Sequence, residues 1–341
     1  MVNIQLPRLK TFMAALLRGA GMNEKNAETM TAVMMRATLR GVGHHDVHDL
    51  PGRVKSYLSG RINPNPEIRL ISGFQALERY DGDNGPGELC CSFIMDRAEQ
   101  MADEHGIALC TIQNSNHFLS AAPYVEKAAE KGYLAIIYTR TNPAMNVLGA
   151  SPRIIGSSPM GFAAQTNEEY PIMLDICLAY ASYGKFQEMA DAGEEVPSYW
   201  GTDAGIRPTT DPAAIKNGGQ AAPIGQHKGM GLSMLTEILT GVLSGGQIID
   251  EKKSETSKGV GVYSQTAIVI KADGLMTSEA FKSRTSDVAK RMKALTPTTH
   301  IPGQASYEKK KAMEKDGYAR LDPELVESLN ALAEKLGIDV L

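Results

Sequence analysis

The chain has 341 residues, 43% of them hydrophobic and 22% charged, which suffices for one large globular domain or two ordinary ones around a sizeable core. The 35 Lys and Arg stand against 39 Asp and Glu, and a formal net charge of −4 offers no field to draw in nucleic acid or an anionic membrane. No apolar run approaches the ~18 residues of a membrane span, and Met1-Val2-Asn3-Ile4-Gln5-Leu6-Pro7 lacks the basic and apolar parts of a secretion signal, so a cytoplasmic protein is expected.

The chain opens with two helices, predicted from apolar residues at helical spacing. These are Leu9, Phe12, Met13, Leu16 and Leu17, then Met30, Val33, Met34 and Leu39 after the turn Gly21-Met22-Asn23. A turn-rich stretch with Pro64 and Pro66 follows, then a helix through Phe93, Ile94, Ala98, Met101 and Ala102 that ends near Gly106. Ile107 to Ile112 reads as a strand leading into the polar turn Asn114-Ser115-Asn116-His117. Tyr124-Val125 and Ala128-Ala129 predict a helix closed by Gly132, and Leu134 to Thr139 a second strand. Ligands gather in loops at strand ends, which makes the turn from Asn114 to Ser120 a candidate site. Further strands are expected at Ile172 to Ile176 and Ala267 to Ile270, with helices around Ala179 to Met189 and Gly229 to Leu243. The last helix opens at Pro323-Glu324-Leu325-Val326 with Asp322 as its cap. Helical ends around a mixed centre predict an α/β (α+β) fold in which both termini share one subdomain.

The four cysteines, Cys90, Cys91, Cys110 and Cys177, show no Cys-x-x-Cys spacing and read as buried reduced thiols. Neither G-x-G-x-x-G after a strand nor a phosphate-binding G-x-x-x-x-G-K-[ST] is present. The nearest glycine cluster, Gly225-Gln226-His227-Lys228-Gly229-Met230-Gly231, opens a predicted helix and suits an anion such as a pyrophosphate; alternatively its glycines let the helix pack closely. Between His44 and Asp49 stand three of the seven histidines and two aspartates. Imidazole exchanges protons near neutral pH, as carbonyl reduction requires, although such a cluster could instead bind a divalent metal or be a solvated loop. His117, in the polar turn, could hydrogen-bond a cofactor or substrate or simply be packed. His300, before Ile301-Pro302-Gly303, reads as structural.

Several segments together resemble the malate/L-lactate dehydrogenase family, which lacks a Rossmann domain: Arg40-Gly41-Val42 with His45 and Leu50-Pro51, Asn114-Ser115-Asn116-His117-Phe118, Gly156-Ser157-Ser158-Pro159, Leu174-Asp175, Gly184-Lys185, Pro208-Thr209-Thr210-Asp211-Pro212, His227-Lys228-Gly229-Met230-Gly231-Leu232 and Ile301-Pro302-Gly303. Arg97-Ala98, Glu130-Lys131-Gly132-Tyr133 and Tyr183-Gly184 look most similar to its diketogulonate reductase branch. The resemblance implies a homodimer and a non-Rossmann cofactor domain, residues 76-299, on a mixed, largely antiparallel sheet. It also implies a helical substrate and dimerisation domain from residues 1-75 and 300-341. Carried over by position, His45 is the proton donor; His117 has a cofactor or proton-transfer role. Cofactor contacts are implied at His117, Phe118, Thr141, Asp175, Ile176, Cys177, His227, Lys228 and Gly303. No resident metal is implied.

The chain also departs from the family pattern. Ser-His-Gly becomes His44-His45-Asp46, and Asp49 stands where an arginine would hold the substrate carboxylate. An aspartate there repels a carboxylate, which shifts the expected substrate contacts to hydroxyls facing Asp46 and Asp49, with Lys185 or His44 meeting negative groups. Pro302-Gly303-Gln304-Ala305 lacks the family's following arginine, favouring NAD slightly over NADP. The expected function is NAD(P)-dependent reduction of a small 2-oxo acid, a sugar-derived one included, or the reverse oxidation. The alternatives are an imine-reducing member and an altered member that binds a metal or ligand.

Overall fold

The structure, a computed structural model, describes residues 1–146, 153–251, 262–296 and 298–341. The chain begins with a short strand β1 (Val2–Gln5), which runs into α1 (Leu6–Gly19), and α2 (Glu24–Leu39) follows, capped by the Asn23 side chain on the amide of Asn26. Leu9, Phe12, Met13, Leu16 and Leu17 all face inward from α1, as their spacing predicts. A single 3-10 turn at Val47–Asp49 leads into α3 (Leu50–Leu58).

Residues 69 to 85 depart from the turn-rich expectation. They form a hairpin of β2 (Arg69–Phe74) and β3 (Leu77–Gly85). Every β2 residue is exposed, so the strand carries no alternation of buried and open positions by which to recognise it. Next come α4 (Gly87–His105), ended by Gly106 at φ +81°, and β4 (Ile107–Ser115). They are followed by α5 (Ala122–Glu130) and β5 (Tyr133–Thr139).

Short strands β6 (Pro143–Met145) and β7 (Ile155–Gly156) precede β8 (Met160–Ala164), β9 (Ile172–Ile176) and α6 (Tyr183–Asp191). Then come β10 (Gly201–Thr202), α7 (Pro212–Lys216), β11 (Gln220–Ala221) and α8 (His227–Glu237), which passes into a π-helical turn at Ile238–Val242. The chain closes with β12 (Tyr263–Lys271), α9 (Ser278–Leu295), α10 (Gln304–Asp316), β13 (Tyr318–Leu321) and α11 (Pro323–Lys335). Asp322 precedes α11 as expected, but makes no side-chain cap bond.

The main sheet has seven strands in the order β2-β3-β4-β12-β5-β8-β9, and β3 with β4 is its one parallel pair. It is thus mixed and largely antiparallel, unlike the all-parallel Rossmann sheet. A four-stranded sheet, β10-β11-β6-β7, builds a second small core around Met145, Phe186, Val196 and Ile215. The two chain ends meet where β1 pairs antiparallel with β13. Among the described residues no helix is long and apolar enough to cross a membrane.

Candidate functional site

A cavity of about 890 Å³ lies between the turn after α2, the β4 to α5 loop, β9, the start of α6 and the start of α10. It is near the upper end of the ~300–1,000 Å³ usual for ligand sites. His44, His45, His117, Thr141, Asp175, Ile176, Cys177, Lys185 and Gly303 all line it, although they come from distant parts of the chain.

The histidine cluster divides into three. His44 turns towards α6, where its Nδ1 lies 3.2 Å from Glu188 Oε1 and its Nε2 3.0 Å from Ser182 Oγ, the hydroxyl that also caps α6 on the amide of Lys185. With both nitrogens committed, burial and the neighbouring His45 hold His44 below the ordinary imidazole range against the pull of Glu188. His48 faces away from the cavity. Its Nδ1 is 2.6 Å from Asp46 Oδ1 and its Nε2 3.5 Å from Asp322, so it joins this turn to the start of α11, and the Asp46 contact raises its pKa. His45 also lines the cavity, while its buried Nδ1 faces Asp49 Oδ2 at 3.6 Å. Burial works against the Asp49 charge, but the His45 and Arg53 side chains outweigh it and hold the carboxyl below its usual range.

The His117 ring lies beside that of His45, with centroids 4.8 Å apart, and meets the Tyr263 ring edge-on. Its Nδ1 accepts from Arg53 Nη2 at 3.1 Å and from the amide of Leu119 at 3.2 Å. Burial, followed by the Arg53 cation, pushes His117 well below the ordinary imidazole range. Asp175, on β9, accepts from the amides of Ala121 and Ala122 at 3.2 and 2.9 Å and so caps α5; burial raises its pKa despite these bonds. Gly303, at φ +90°, opens α10 against Met173.

The structure does not bring all the expected residues to this cavity. Asp46 is buried in its own turn, accepting from the amides of Gly43 and His48, and Asp49 serves His45 and Arg53; neither lines the cavity. Phe118 is buried in the core, stacked on Tyr124. His227 and Lys228 are exposed at the start of α8, outside the cavity, and Gly229 there packs against the backbone of Ile224, where a Cβ would come within 2.2 Å of the carbonyl oxygen. Lys185 reaches the rim, but its Nζ lies 3.1 Å from Glu188.

Three cations not singled out from sequence matter here. Arg53 stands one helical turn beyond Asp49. Lys309, one turn beyond Ala305 on α10, lies over Gly41 on the cavity wall. Arg153 also lines the wall, held by the carbonyls of Gly219 and Lys216 at 2.8 and 3.0 Å and stacked 4.8 Å over Tyr183. Among the described residues neither Lys309 nor Arg153 forms an ion pair with a carboxylate. A helical i, i+4 step from each missing arginine would have found Arg53 and Lys309; no local pattern marks Arg153.

His45, Asp49 and His117 place ligand atoms within 4.8 Å of one another, close enough to be weighed as a metal triad. The Arg53 guanidinium, 4.0 Å from Asp49 and bonded to His117 Nδ1, already supplies positive charge there and opposes a further cation. The cluster therefore suits proton transfer and hydrogen bonding at a ligand-sized cavity on a non-Rossmann frame, an arrangement that serves carbonyl reduction.

The malate/L-lactate dehydrogenase family pattern matches residues 4–330, and the chain belongs to that family. It is 29% identical to a malate dehydrogenase of Pyrococcus horikoshii over 99% of this chain and 96% of the relative. It is 31% identical to a 2,3-diketo-L-gulonate reductase of Salmonella schwarzengrund over 81% and 82% respectively. The solved structure of sulfolactate dehydrogenase from Methanocaldococcus jannaschii superposes with a TM-score of 0.90 at 27% identity, covering 99% of this chain and 98% of that one. The protein is thus an NAD(P)-dependent 2-hydroxy acid dehydrogenase or 2-oxo acid reductase.

Proposed function

We propose that the chain reduces a hydroxylated, sugar-derived 2-oxo acid, with His45 protonating the carbonyl oxygen. The observation that carries this reading is His45 itself, an imidazole that lines the cavity with its Nδ1 3.6 Å from the Asp49 carboxylate behind it. The 31% identity to the diketogulonate reductase supports the substrate class.

The cavity residues fit a nicotinamide dinucleotide. Hydroxyls of Thr141 and Ser157 suit its ribose and amide groups, and Arg153 and Lys309 suit its phosphates. Asp175, Ile176, Cys177 and Gly303 complete the proposed cradle. When bound, the nicotinamide supplies a hydride to the carbonyl carbon. His45 then gives its Nε2 proton to the oxygen as the C=O π pair becomes an O–H bond, and it regains a proton from solvent. His117 donates a hydrogen bond to the same oxygen.

NAD remains the preferred cofactor because Ala305 removes an arginine, although Lys309 restores a cation one turn on; kcat/KM compared for NADH and NADPH decides between them. The homodimer is supported by Leu232, Leu235, Ile238 and Val242, which form one exposed apolar stripe on α8 and the turn after it. The chain ends joined through β1 and β13 support a helical domain apart from the sheet domain. Four free thiols suit a reducing cytoplasm. The experiment is His45→Ala, which removes turnover while the dinucleotide still binds; retained turnover would refute His45 as the acid.

A further inference from the structure

Arg53 lies eight residues beyond His45 and four beyond Asp49, so the three side chains share one face as the chain winds into α3. Its guanidinium is largely buried. Nη2 donates to His117 Nδ1 at 3.1 Å and to the His117 carbonyl oxygen at 3.0 Å, and it lies 4.0 Å from Asp49. Nε stands 2.9 Å from Glu88, a fully buried carboxylate at the start of α4.

A guanidinium and a backbone amide can only donate. Nδ1 of His117, which faces Arg53 and the amide of Leu119, is therefore an acceptor, and the ring hydrogen resides on Nε2. We propose that Arg53 is a positioning residue of the reaction, fixing His117 as the neutral Nε2–H tautomer so that its one donor serves the oxygen that becomes the hydroxyl. The inference rests on the reading of His45 as the acid and deepens it. Losing the Nε2 hydrogen would leave an imidazolate, so His117 held this way donates a hydrogen bond and does not transfer a proton. The two adjacent imidazoles thus take different roles because one is backed by a carboxylate and the other by a guanidinium.

The groups facing His117 are Arg53 from α3, Asp49, His45 and His44 from the preceding turns, and the Tyr263 ring from β12. Burial comes first, then Arg53, His45 and His44, in opposing a charge on this ring, against the pull of Asp49. Removing Arg53 takes away the permanent cation beside this ring and the side-chain donor to Nδ1. The ring is then free to exchange tautomers and to take up a proton at higher pH.

The test is nitrogen NMR of isotope-labelled histidine in the enzyme without substrate, with His117→Gln identifying the signal and steady-state kinetics measured alongside. Arg53→Lys keeps a cation against Glu88, but one ammonium cannot pair with Glu88 and also serve both His117 atoms. The double variant Arg53→Met with Glu88→Met leaves neither partner of that pair as an unpaired buried charge and is the second reading of the same bond. In wild type His117 shows an unprotonated Nδ1 and a protonated Nε2 across the range where ordinary histidines titrate. In the variants the signal shows mixed tautomers or a titration, kcat falls on the order of 10²-fold, cofactor KM is unchanged, and the acid limb of the pH profile moves up. A proton on Nδ1 in wild type, or an unchanged tautomer in a folded variant, overturns the inference. If the tautomer depends on Arg53 but His45→Ala keeps its turnover, the acid assignment fails and the role of Arg53 as tautomer-setter stands.

Discussion

At the scale of single residues, the site depends on what backs each imidazole. His45→Ala is expected to lower kcat by roughly 10²–10⁴-fold with the dinucleotide dissociation constant unchanged, measured by stopped-flow kinetics and fluorescence titration. Asp49→Asn should lower kcat less, by weakening the orientation of His45, while Asp49→Arg would set two guanidiniums side by side and lose more. His48 has a raised pKa through Asp46, so its contribution to stability is complete below its unfolded pKa of about 6.5 and is lost as pH rises through the higher folded value. Denaturant titrations of His48→Gln should therefore show a larger loss at mildly acid pH than at alkaline pH; an equal loss at both would refute the clasp to Asp46 and Asp322. The sequence made His45 legible by residue type and by family resemblance. It could not separate His44, His45 and His48, because their partners, Glu188, Asp49 and Asp322, lie 144, 4 and 274 positions away. Arg53 was hidden for a related reason: an arginine four residues along a helix looks like ordinary surface until Glu88 and His117 are folded onto it.

At the scale of elements, the cavity floor is held by charge. Arg40, at the end of α2, pairs with Glu126 of α5 at 2.7 Å, and Arg36 and Lys310 of α10 pair with the same carboxylate at 3.4 and 2.9 Å. Burial opposes the Glu126 charge, but Arg40 and Lys310 bring its pKa down to about 2. Its contribution is present above the unfolded carboxylate value and is lost as pH falls through the folded one. Glu126→Gln should cost about 3–5 kcal/mol in chemical denaturation by leaving Arg40 buried without its counter-charge, and a loss under 1 kcal/mol would contradict that. Gly184 gives a second check. A Cβ there would lie 2.6 Å from His44 Cδ2, so Gly184→Ala should displace the His44 brace and raise substrate KM while α6 stays folded. The long amphipathic helices and buried strands were legible because burial imposes a period on their sequences. The strand β2 was not, since an exposed edge strand imposes none, and β3 beside it is only partly buried. The glycine-rich start of α8 suited either an anion or close packing, and Gly229 does pack closely on the backbone of Ile224, with His227 and Lys228 outside the cavity.

At the scale of the whole molecule, the exposed stripe of Leu232, Leu235, Ile238 and Val242 predicts a dimer by sedimentation, converted to monomer by Leu235→Glu with Ile238→Glu; a wild-type monomer would refute that use of the face. The fold puts the ends of β4 and β5 and the strand β9 around one cavity together with the turn after α2 and the start of α10, so its lining is drawn from Arg40 to Lys309. The central claim is that this cavity reduces 2-oxo acids with His45 as the acid. It is tested most directly by following nicotinamide absorbance with NADH or NADPH against a panel of short and polyhydroxylated 2-oxo acids, in wild type and in His45→Ala. The account predicts stoichiometric conversion of at least one hydroxylated 2-oxo acid to its 2-hydroxy acid by wild type and near-complete loss in the variant. Equal rates in the two proteins, or no turnover of any 2-oxo acid by a wild-type enzyme that binds the dinucleotide, would contradict it.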